Sequence, residues 1–276
     1  MRPVWLIEAG VYGGEIVPLL NEIRRQGMIA EIVPHQALRK GEAPIIAGRK
    51  LSPESCVIGY GTFPFVRQIQ IHHPWTPGAW GSAENLNCAV YYAYFGEFLL
   101  NEHYSIMPGV EAIRQRDWLF STFGIADEVF ARPVNSDKLF VGRRIDRFSF
   151  AQSLASTRFD PATLVAIATP RSIEREWRLI VTEDRIIASS QYAVRGQRSV
   201  QEGCPNEVRA FAEGMLTQAR WRPDPIFMLD VCESEGRLRL VELNGFSGSW
   251  LYQCRLSDVV AAASALAERQ WSAKLR

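Results

Sequence analysis

Two carboxylates and one amide, Asp230, Glu242 and Asn244, lie within the segment Ile226 to Gly245 (IFMLDVCESEGRLRLVELNG). Asp and Asn are depleted in strands, and a buried carboxylate without a partner is costly. Mg²⁺ is a natural partner, because it binds a few protein oxygens and fills its remaining positions with water and phosphate oxygens. The residue types predict a Mg²⁺ site for a phosphate-bearing ligand. The alternative is a surface face of solvated or Arg-paired acids.

The same segment predicts a β-hairpin. Two apolar runs of strand length flank residues 234–236, a three-residue loop in which Gly236 suits a positive φ. With that loop Asp230 faces Leu240 and Met228 faces Glu242. The two carboxylates are then diagonal neighbours on one face of the sheet, and Asn244 shares that face.

The composition is that of an ordinary globular enzyme. The net charge of +1 argues against a general binder of nucleic acid or membranes. Residues 1–130 carry 10 Lys and Arg against 13 Asp and Glu, and residues 131–276 carry 21 against 17, so the half with the hairpin has the basic excess expected for an anionic ligand. The absence of an 18-residue apolar run, the short apolar N-terminal segment and five cysteines without metal-like spacing predict a cytoplasmic protein with reduced thiols.

Along the chain, the pattern predicts an α+β protein of two or three lobes. The first half begins with a strand, an amphipathic helix (Tyr12 to Gln26) with Ile16, Leu19, Leu20 and Ile23 on its apolar face, and a second strand. GVYGG is not a dinucleotide-binding fingerprint, and no phosphate-binding P-loop sequence occurs. Residues 109–122 predict one helix, and residues 161–170 (PATLVAIATP) a short helix feeding a buried strand. A second hairpin covers residues 173–194, and Asn206 to Ala219 predicts a helix. Ser257 to Arg269 predicts a closing helix with Ser257 as its cap.

Several motifs occur in a fixed order: FARPVNSDKLFVG, VAIATP, EWRLIVTEDRIIASSQY and FMLDVCESEGRLRLVELNGF. Together they resemble an ATP-grasp domain, and more narrowly the clade named for two arginines and a lysine, whose members are predicted amide-bond-forming ligases. YGTFPF and FGEFLLNEHY in the first half also resemble that clade. The resemblance implies an N-terminal α/β substrate lobe at residues 1–107 and an ATP-grasp domain of two α+β subdomains at 108–276, divided near residue 170.

The resemblance also implies roles for individual residues. Lys138 and Arg132 would bind the phosphates of ATP, with Arg178 over the γ-phosphate and Lys138 and Arg178 as the catalytic pair. The backbone at Ala168 and Thr169 would meet the adenine. Either Glu174 or Glu176 would meet the ribose hydroxyls or order a neighbouring Arg. The metal site Asp230, Glu242 and Asn244 would hold one or two Mg²⁺ ions.

The function implied is an ATP-dependent carboxylate–amine ligase that releases ADP and phosphate through an acyl phosphate. Its partners would be a small molecule or peptide with a carboxylate and an amine acceptor. Arg195, Arg198 and Arg255 are candidates to hold a substrate carboxylate by a bidentate fork, with solvated loop arginines as the alternative. Two other functions stay open: a phosphotransferase acting on a hydroxyl, and an ATP-binding module without turnover.

Overall fold

The computed structural model describes residues 2–41, 44–46, 48–135, 140–155, 160, 162–183 and 185–275. Within them the strands are, in chain order, β1 (Val4–Glu8), β2 (Ile29–Val33), β3 (Ile45–Ile46), β4 (Arg49–Lys50), β5 (Cys56–Tyr60), β6 (Thr76–Gly78), β7 (Tyr104–Pro108), β8 (Glu128–Pro133), β9 (Arg143–Asp146), β10 (Leu164–Ala168), β11 (Arg175–Thr182), β12 (Arg185–Val194), β13 (Gln197–Glu202), β14 (Ile226–Ser234) and β15 (Arg237–Gly245). The α-helices are α1 (Ile16–Arg25), α2 (Phe63–His72), α3 (Cys88–Phe95), α4 (Gly109–Arg114), α5 (Arg116–Phe123), α6 (Phe150–Leu154), α7 (Asn206–Ala219) and α8 (Leu256–Lys274).

Three sheets organise these elements. The first is parallel, in the order β2-β1-β5-β6, and the second is antiparallel, in the order β7-β10-β8-β9. The third is antiparallel, in the order β13-β12-β11-β14-β15, and a two-stranded ribbon joins β3 to β4. The lobe boundaries at residues 107 and 170 stay a prediction. Strand β7 (Tyr104–Pro108) spans the first of these boundaries and pairs with β10 of the second sheet.

The two faces of the third sheet pack into different hydrophobic cores. Trp177, Leu179 and Leu229 point into one core with α3 and α7. Ile180 and Met228 point into another core with α1, α8 and the first sheet. Because side chains alternate along a strand, Arg178 and Asp230 lie on the same face as Ile180 and Met228, beyond the part that this second core covers. The second sheet packs separately against α4, α5 and α6.

The register of the β14–β15 hairpin differs from the prediction. Ser234 pairs with Arg237, and the two residues between them both have positive φ (Glu235 53°, Gly236 71°), so the loop has two residues and not three. A β-bulge follows, because Val231 pairs with Leu240 while Asp230 pairs with Glu242. The carboxylates are therefore directly opposite one another instead of diagonal.

Three predicted helices also need correction. The helix predicted at 109–122 is two helices, because Gln115 leaves helical geometry (φ −94°, ψ 18°). Residues 162–163 are not helical: the Asp160 carboxylate accepts from the N–H of Ala162 and holds a turn before β10. The closing helix α8 begins at Leu256 with Arg255 as its N-cap, so Ser257 lies in its first turn, and it continues past Arg269 with Trp271 packed on the core.

Two further observations concern the cysteines and the character of the helices. All five cysteines are free thiols, and four of them are buried. Among the described helices, none combines the length and the apolar character that crossing a membrane requires.

Candidate active site

Three charged side chains stand in a row across adjacent strands of the third sheet. Arg178 on β11 pairs in register with Asp230 on β14, and Asp230 pairs with Glu242 on β15. The row exists because the bulge on β15 brings Glu242 level with Asp230. Two of its members are deeply buried: 5% of Arg178 and 1% of Asp230 are exposed.

Arg178 and Asp230 form a bidentate ion pair. The Nε atom donates to Oδ1 at 2.8 Å and Nη2 donates to Oδ2 at 2.6 Å, while Nη1 donates to the carbonyl of Trp250 at 3.0 Å. The guanidinium also lies over the ring of Tyr252, with Cζ 5.1 Å from the centroid. A planar fork of this kind fixes the orientation of both groups and satisfies charges that burial would otherwise make costly.

Asn244 and Arg132 connect the rest of the polar cluster. The Nδ2 of Asn244 donates to Asp230 Oδ2 at 3.1 Å and to Glu242 Oε1 at 2.9 Å. Arg132, on β8 of the second sheet, donates from Nη2 to Glu242 Oε2 at 3.2 Å. The prediction that the two carboxylates and the amide share one face is confirmed by these contacts, and Arg132 joins the second sheet to the third at this point.

Glu176 lies two residues before Arg178 on β11 and accepts a hydrogen bond from the hydroxyl of Tyr192 at 2.7 Å. Burial raises the pKa of Glu176, and the nearby carboxylates Asp230 and Glu242 raise it further, against the opposing effect of the Tyr192 hydroxyl. Tyr192 reaches Glu176 because it is the extra residue in a β-bulge, where Glu176 pairs with Ala193 and Trp177 pairs with Gln191.

A cavity of about 480 Å³ lies between the second and third sheets beside this cluster. Both bulged residues, Tyr192 and Val241, line it. Asn135 also lines it, and its Oδ1 atom is buried without a hydrogen-bond partner. The full lining is Leu100, Asn101, Phe130, Arg132, Pro133, Asn135, Phe140, Val141, Gly142, Ile173, Glu176, Tyr192, Gly196, Val241 and Glu242. Its mixture of apolar walls and converging polar groups is typical of a small-molecule site.

Other predicted site residues lie around the cavity or away from it. Ala168 and Thr169 are at the end of β10 and are not among the residues that line the cavity. Glu174 has a buried Oε2 atom without a hydrogen-bond partner, and its carbonyl accepts from the backbone N–H of Arg195 at 2.8 Å. Lys138 belongs to residues 136–139, which are outside the described residues.

The three substrate-binding candidates are separated. Arg195 is an exposed residue with φ 49° in the turn between β12 and β13, next to Gly196 of the cavity. Arg198 lies over the rings of Trp250 and Tyr252. Arg255 is exposed and bonded to Glu202, with Nη2 to Oε1 at 2.7 Å, so it is already engaged by a surface carboxylate.

Sequence reasoning missed an aromatic surface next to Arg178. Tyr192 and Tyr252 stack with ring centroids 5.0 Å apart and an interplanar angle of 10°, and Trp250 continues the stack at 6.4 Å from Tyr252. We call these three residues the aromatic wall. Glu15, from the first lobe, accepts the N–H of Leu251 and so anchors the loop that carries Trp250 and Tyr252. The only available signal was the Trp and Tyr pair in the Gly/Ser-rich segment after β15.

The cluster suits a Mg²⁺ ion by its donor chemistry. Asp230 and Glu242 provide carboxylate oxygens, and Asn244 retains its Oδ1, all hard oxygen donors. The guanidinium partners Arg178 and Arg132 orient the carboxylates, as groups behind a metal ligand do. Within the described residues no group of three or more His, Cys, Asp or Glu side chains has an arrangement that could hold a metal ion. The candidate set is therefore two carboxylates with an amide, which leaves positions for water and phosphate.

The arrangement is a cavity between two sheets, with the cluster of Arg178, Asp230, Glu242 and Asn244 beside it and Glu242 in its lining. The family model "ATP-grasp domain, R2K clade family 3" matches residues 91–264. The chain therefore belongs to this ATP-grasp family, as the motifs predicted. A search of curated proteins gave no match.

Solved structures agree with this fold. D-cycloserine synthetase DcsG has a TM-score of 0.65 at 15% identity and covers 97% of this chain and 99% of its own. D-alanyl-alanine synthetase A from Vibrio cholerae O1 biovar eltor has a TM-score of 0.61 at 11% sequence identity, and the match covers 99% of this chain and 99% of its own. The ATP-grasp ligase PsnB, complexed with minimal precursor, has a TM-score of 0.60 at 12% sequence identity, and the match covers 96% of this chain and 99% of its own. The predicted α+β ATP-grasp fold is confirmed over nearly the whole chain.

Proposed function

We propose that this protein is an ATP- and Mg²⁺-dependent ligase that joins a carboxylate to an amine through an acyl phosphate, releasing ADP and phosphate. The observation that supports it is the row of Arg178, Asp230 and Glu242, hydrogen-bonded to Asn244, of which Glu242 lines the cavity between the second and third sheets. PsnB, a ligase of this fold, has been solved with a precursor, Mg and ADP. The fold and the oxygen donors here suit the same pair of ligands.

The nucleotide would lie in the cavity of about 480 Å³. Arg132 and Lys138 would neutralise its phosphates, and the backbone at Ala168 and Thr169 would meet the adenine. Glu176, which lines the cavity, is better placed than Glu174 to meet the ribose or to order Arg178. Mg²⁺, held by Asp230, Glu242 and Asn244, would neutralise charge on the phosphate oxygens.

Arg178 has the geometry of an electrostatic catalyst. Its guanidinium is fixed by Asp230 and by the Trp250 carbonyl, so it does not need to reorganise when charge develops beside it. In the proposed route a carboxylate oxygen of the substrate attacks the γ-phosphorus, and the bond to the ADP oxygen breaks. The deprotonated amine then attacks the acyl carbon, and phosphate leaves with the electron pair of its C–O bond.

Product analysis tests this proposal. The protein would be incubated with ATP, Mg²⁺ and a panel of amino acids and peptides, the nucleotides separated by ion-exchange chromatography, and the organic product weighed by mass spectrometry. We expect ADP, phosphate and an amide. AMP with pyrophosphate would refute the acyl-phosphate route, and ADP with a phosphorylated hydroxyl would identify a phosphotransferase.

An Arg178→Lys variant sharpens the test, because it keeps a positive charge beside Asp230 and removes the planar fork. We expect it to lower kcat far more than it weakens ATP binding, since the Arg178 contact strengthens in the transition state. A loss of ATP affinity with kcat unchanged would show that Arg178 binds the ground state and the transition state equally and is not catalytic.

A further inference from the structure

The parallel sheet of the first lobe has its topological switch point next to the aromatic wall. The chain passes from β1 to β2 on one side and later to β5 on the other side, so the switch lies between β1 and β5. In parallel sheets ligands bind in the crevice at the carboxyl ends of such strands. The loop after β1 crosses this point, where the Tyr12 hydroxyl donates to the carbonyl of Gly61 at 2.7 Å. A Cβ added at Gly13 or Gly14 would meet nothing within 4 Å, so the loop borders open space.

Glu15 ends this loop with one carboxylate oxygen unused. Its Oε2 accepts the N–H of Leu251 at 3.1 Å, whereas Oε1 is buried without a hydrogen-bond partner. The nearest cation is Arg198, whose Nη2 is 4.0 Å away, beyond hydrogen-bonding distance. Burial raises the pKa of Glu15 even though backbone N–H groups and the guanidinium groups of Arg198 and Arg178 lower it. This oxygen therefore lacks a donor that a positively charged ligand would supply.

Arg198 stands opposite with its donors unused. Its Cζ lies 5.4 Å from the ring centroid of Trp250 and 6.0 Å from that of Tyr252, while 64% of the side chain is exposed. Within the described part of the chain its guanidinium makes no hydrogen bond. A guanidinium that lies over aromatic rings can still donate its N–H groups to a carboxylate, and the ring contacts reduce the rotamer freedom that binding would remove.

The two arginines share one aromatic surface. Arg178 lies 5.1 Å from the centroid of the same Tyr252 ring. The two guanidinium carbons are therefore at most about 11 Å apart. A ligand held by Arg198 and Glu15 is close enough to the row of Arg178, Asp230 and Glu242 for a small molecule to reach it.

We propose that Glu15 and Arg198 bind the head group of a free α-amino acid that serves as the amine acceptor, with the ammonium on Glu15 Oε1 and the carboxylate on Arg198. This inference rests on the proposed ligase function and names the class of one substrate. An α-amino acid carries both charges on one carbon, which matches an anion and a cation set side by side. A carboxylate held by Arg198 is not free to attack ATP, so the amine of this molecule is the group that reacts. The ammonium would first pass one proton to Glu15 Oε1, and the neutral amine would then attack the acyl carbon.

Calorimetry on the full chain, without ATP turnover, tests the subsite. The probes are free glycine and the L and D enantiomers of the other standard amino acids. The methyl ester of the tightest binder lacks the carboxylate, and its N-acetyl derivative lacks the ammonium. We expect each derivative to bind about 10- to 100-fold more weakly, the scale of one lost charge-assisted hydrogen bond.

Variants assign each charge to its residue. The Arg198→Gln variant should bind the methyl ester and the parent amino acid with equal affinity, because the carboxylate no longer has its partner. The Glu15→Gln variant should likewise bind the N-acetyl derivative and the parent amino acid with equal affinity. Gln at position 15 keeps an acceptor for the Leu251 N–H, so the loop stays anchored. Arg185→Gln is the matched control. Arg185 is the first residue of β12 and its side chain is 77% exposed, whereas Arg198 pairs with Ala193 near the end of that strand. This variant should bind amino acids normally.

Two results would overturn the inference: no amino acid binds, or the ester and the N-acetyl derivative bind as tightly as the parent. Glu15 and Arg198 would then only tie the first lobe to the third sheet. Because the readout is binding, it does not depend on the nucleotide product. AMP formation by a protein that still binds an amino acid with this pattern would refute the acyl-phosphate route and leave the subsite standing.

Discussion

The Arg178–Asp230 pair gives a prediction about stability that can be worked from its geometry. Replacing Arg178 with Met keeps an apolar side chain of similar length at the position but removes the cation. Asp230, only 1% exposed, then loses the two guanidinium hydrogen bonds at 2.8 and 2.6 Å and keeps the contact with Asn244. The Trp250 carbonyl loses a donor as well.

Removing one partner of a buried ion pair typically costs about 3–5 kcal/mol, because the remaining charge is left uncompensated. We expect a cost in the upper part of that range, because the fork is bidentate and both groups are almost inaccessible to solvent. Adding Asp230→Asn to Arg178→Met removes the carboxylate charge that has lost the guanidinium, so the double variant should recover most of the lost free energy of unfolding.

Urea denaturation followed by tryptophan fluorescence measures this effect, since Trp177 adjoins Arg178 on β11. The matched control is Arg255→Met, which breaks an ion pair of nearly equal length, 2.7 Å, on an exposed surface. Exposed pairs contribute little, so the control should leave the unfolding midpoint unchanged.

A loss below about 1 kcal/mol in Arg178→Met, the value expected of a surface pair, would refute the buried-fork interpretation. A double variant that is less stable than Arg178→Met would also contradict it, because it would show that the Asp230 charge was not the source of the cost.

Three further predictions concern the ligands and pH. ATP should bind more weakly in EDTA than with Mg²⁺ by calorimetry, and equal affinities would reject the metal assignment of Asp230 and Glu242. Lys138→Ala should weaken ATP binding by about 1–3 kcal/mol, with partial rescue by Lys138→Arg, whereas unchanged binding would make Lys138 an ordinary surface residue. Burial raises the pKa of Asp224 from 3.8 to about 6, against the opposing N–H of Ser82. The folded state then holds this proton more tightly, so stability present below pH 3.8 is lost as the pH rises through about 6, and Asp224→Asn should flatten that decline in denaturation experiments.

Elements with a strong local pattern were predictable from the sequence. The predicted apolar face of the first helix, Ile16, Leu19, Leu20 and Ile23, is buried in full in α1. Helix α7 begins and ends where the sequence indicated, at Asn206 and Ala219. In these helices the 3.6-residue period of apolar side chains carries the information, and it needs no knowledge of distant residues.

Contacts between distant segments were not predictable in the same way. Glu15 and Arg198 each look like ordinary solvated charges in their local sequence, and only the packing of the first lobe on the third sheet brings them within 4.0 Å. The aromatic wall has the same character, since Tyr192 comes from β12 and Trp250 and Tyr252 come from the loop after β15. No spacing rule connects such residues.

The β14–β15 hairpin shows why the face of the metal site was predicted correctly from a wrong register. Shortening the loop from three residues to two shifts the pairing by one, which alone would turn Glu242 to the side of the sheet opposite Asp230. The bulge at Val241 shifts the pairing by one more residue, and two shifts restore the original face because side chains alternate with period two. Turn residues and alternation can be read locally, but a bulge is selected by what the sheet packs against. Here the inserted Val241 lines the cavity while Glu242 is brought level with Asp230. The bulge thus places the row of Arg178, Asp230 and Glu242 beside the cavity wall. The arrangement of the site therefore depends on the bulge, which is the feature of this hairpin that could not be predicted from its sequence.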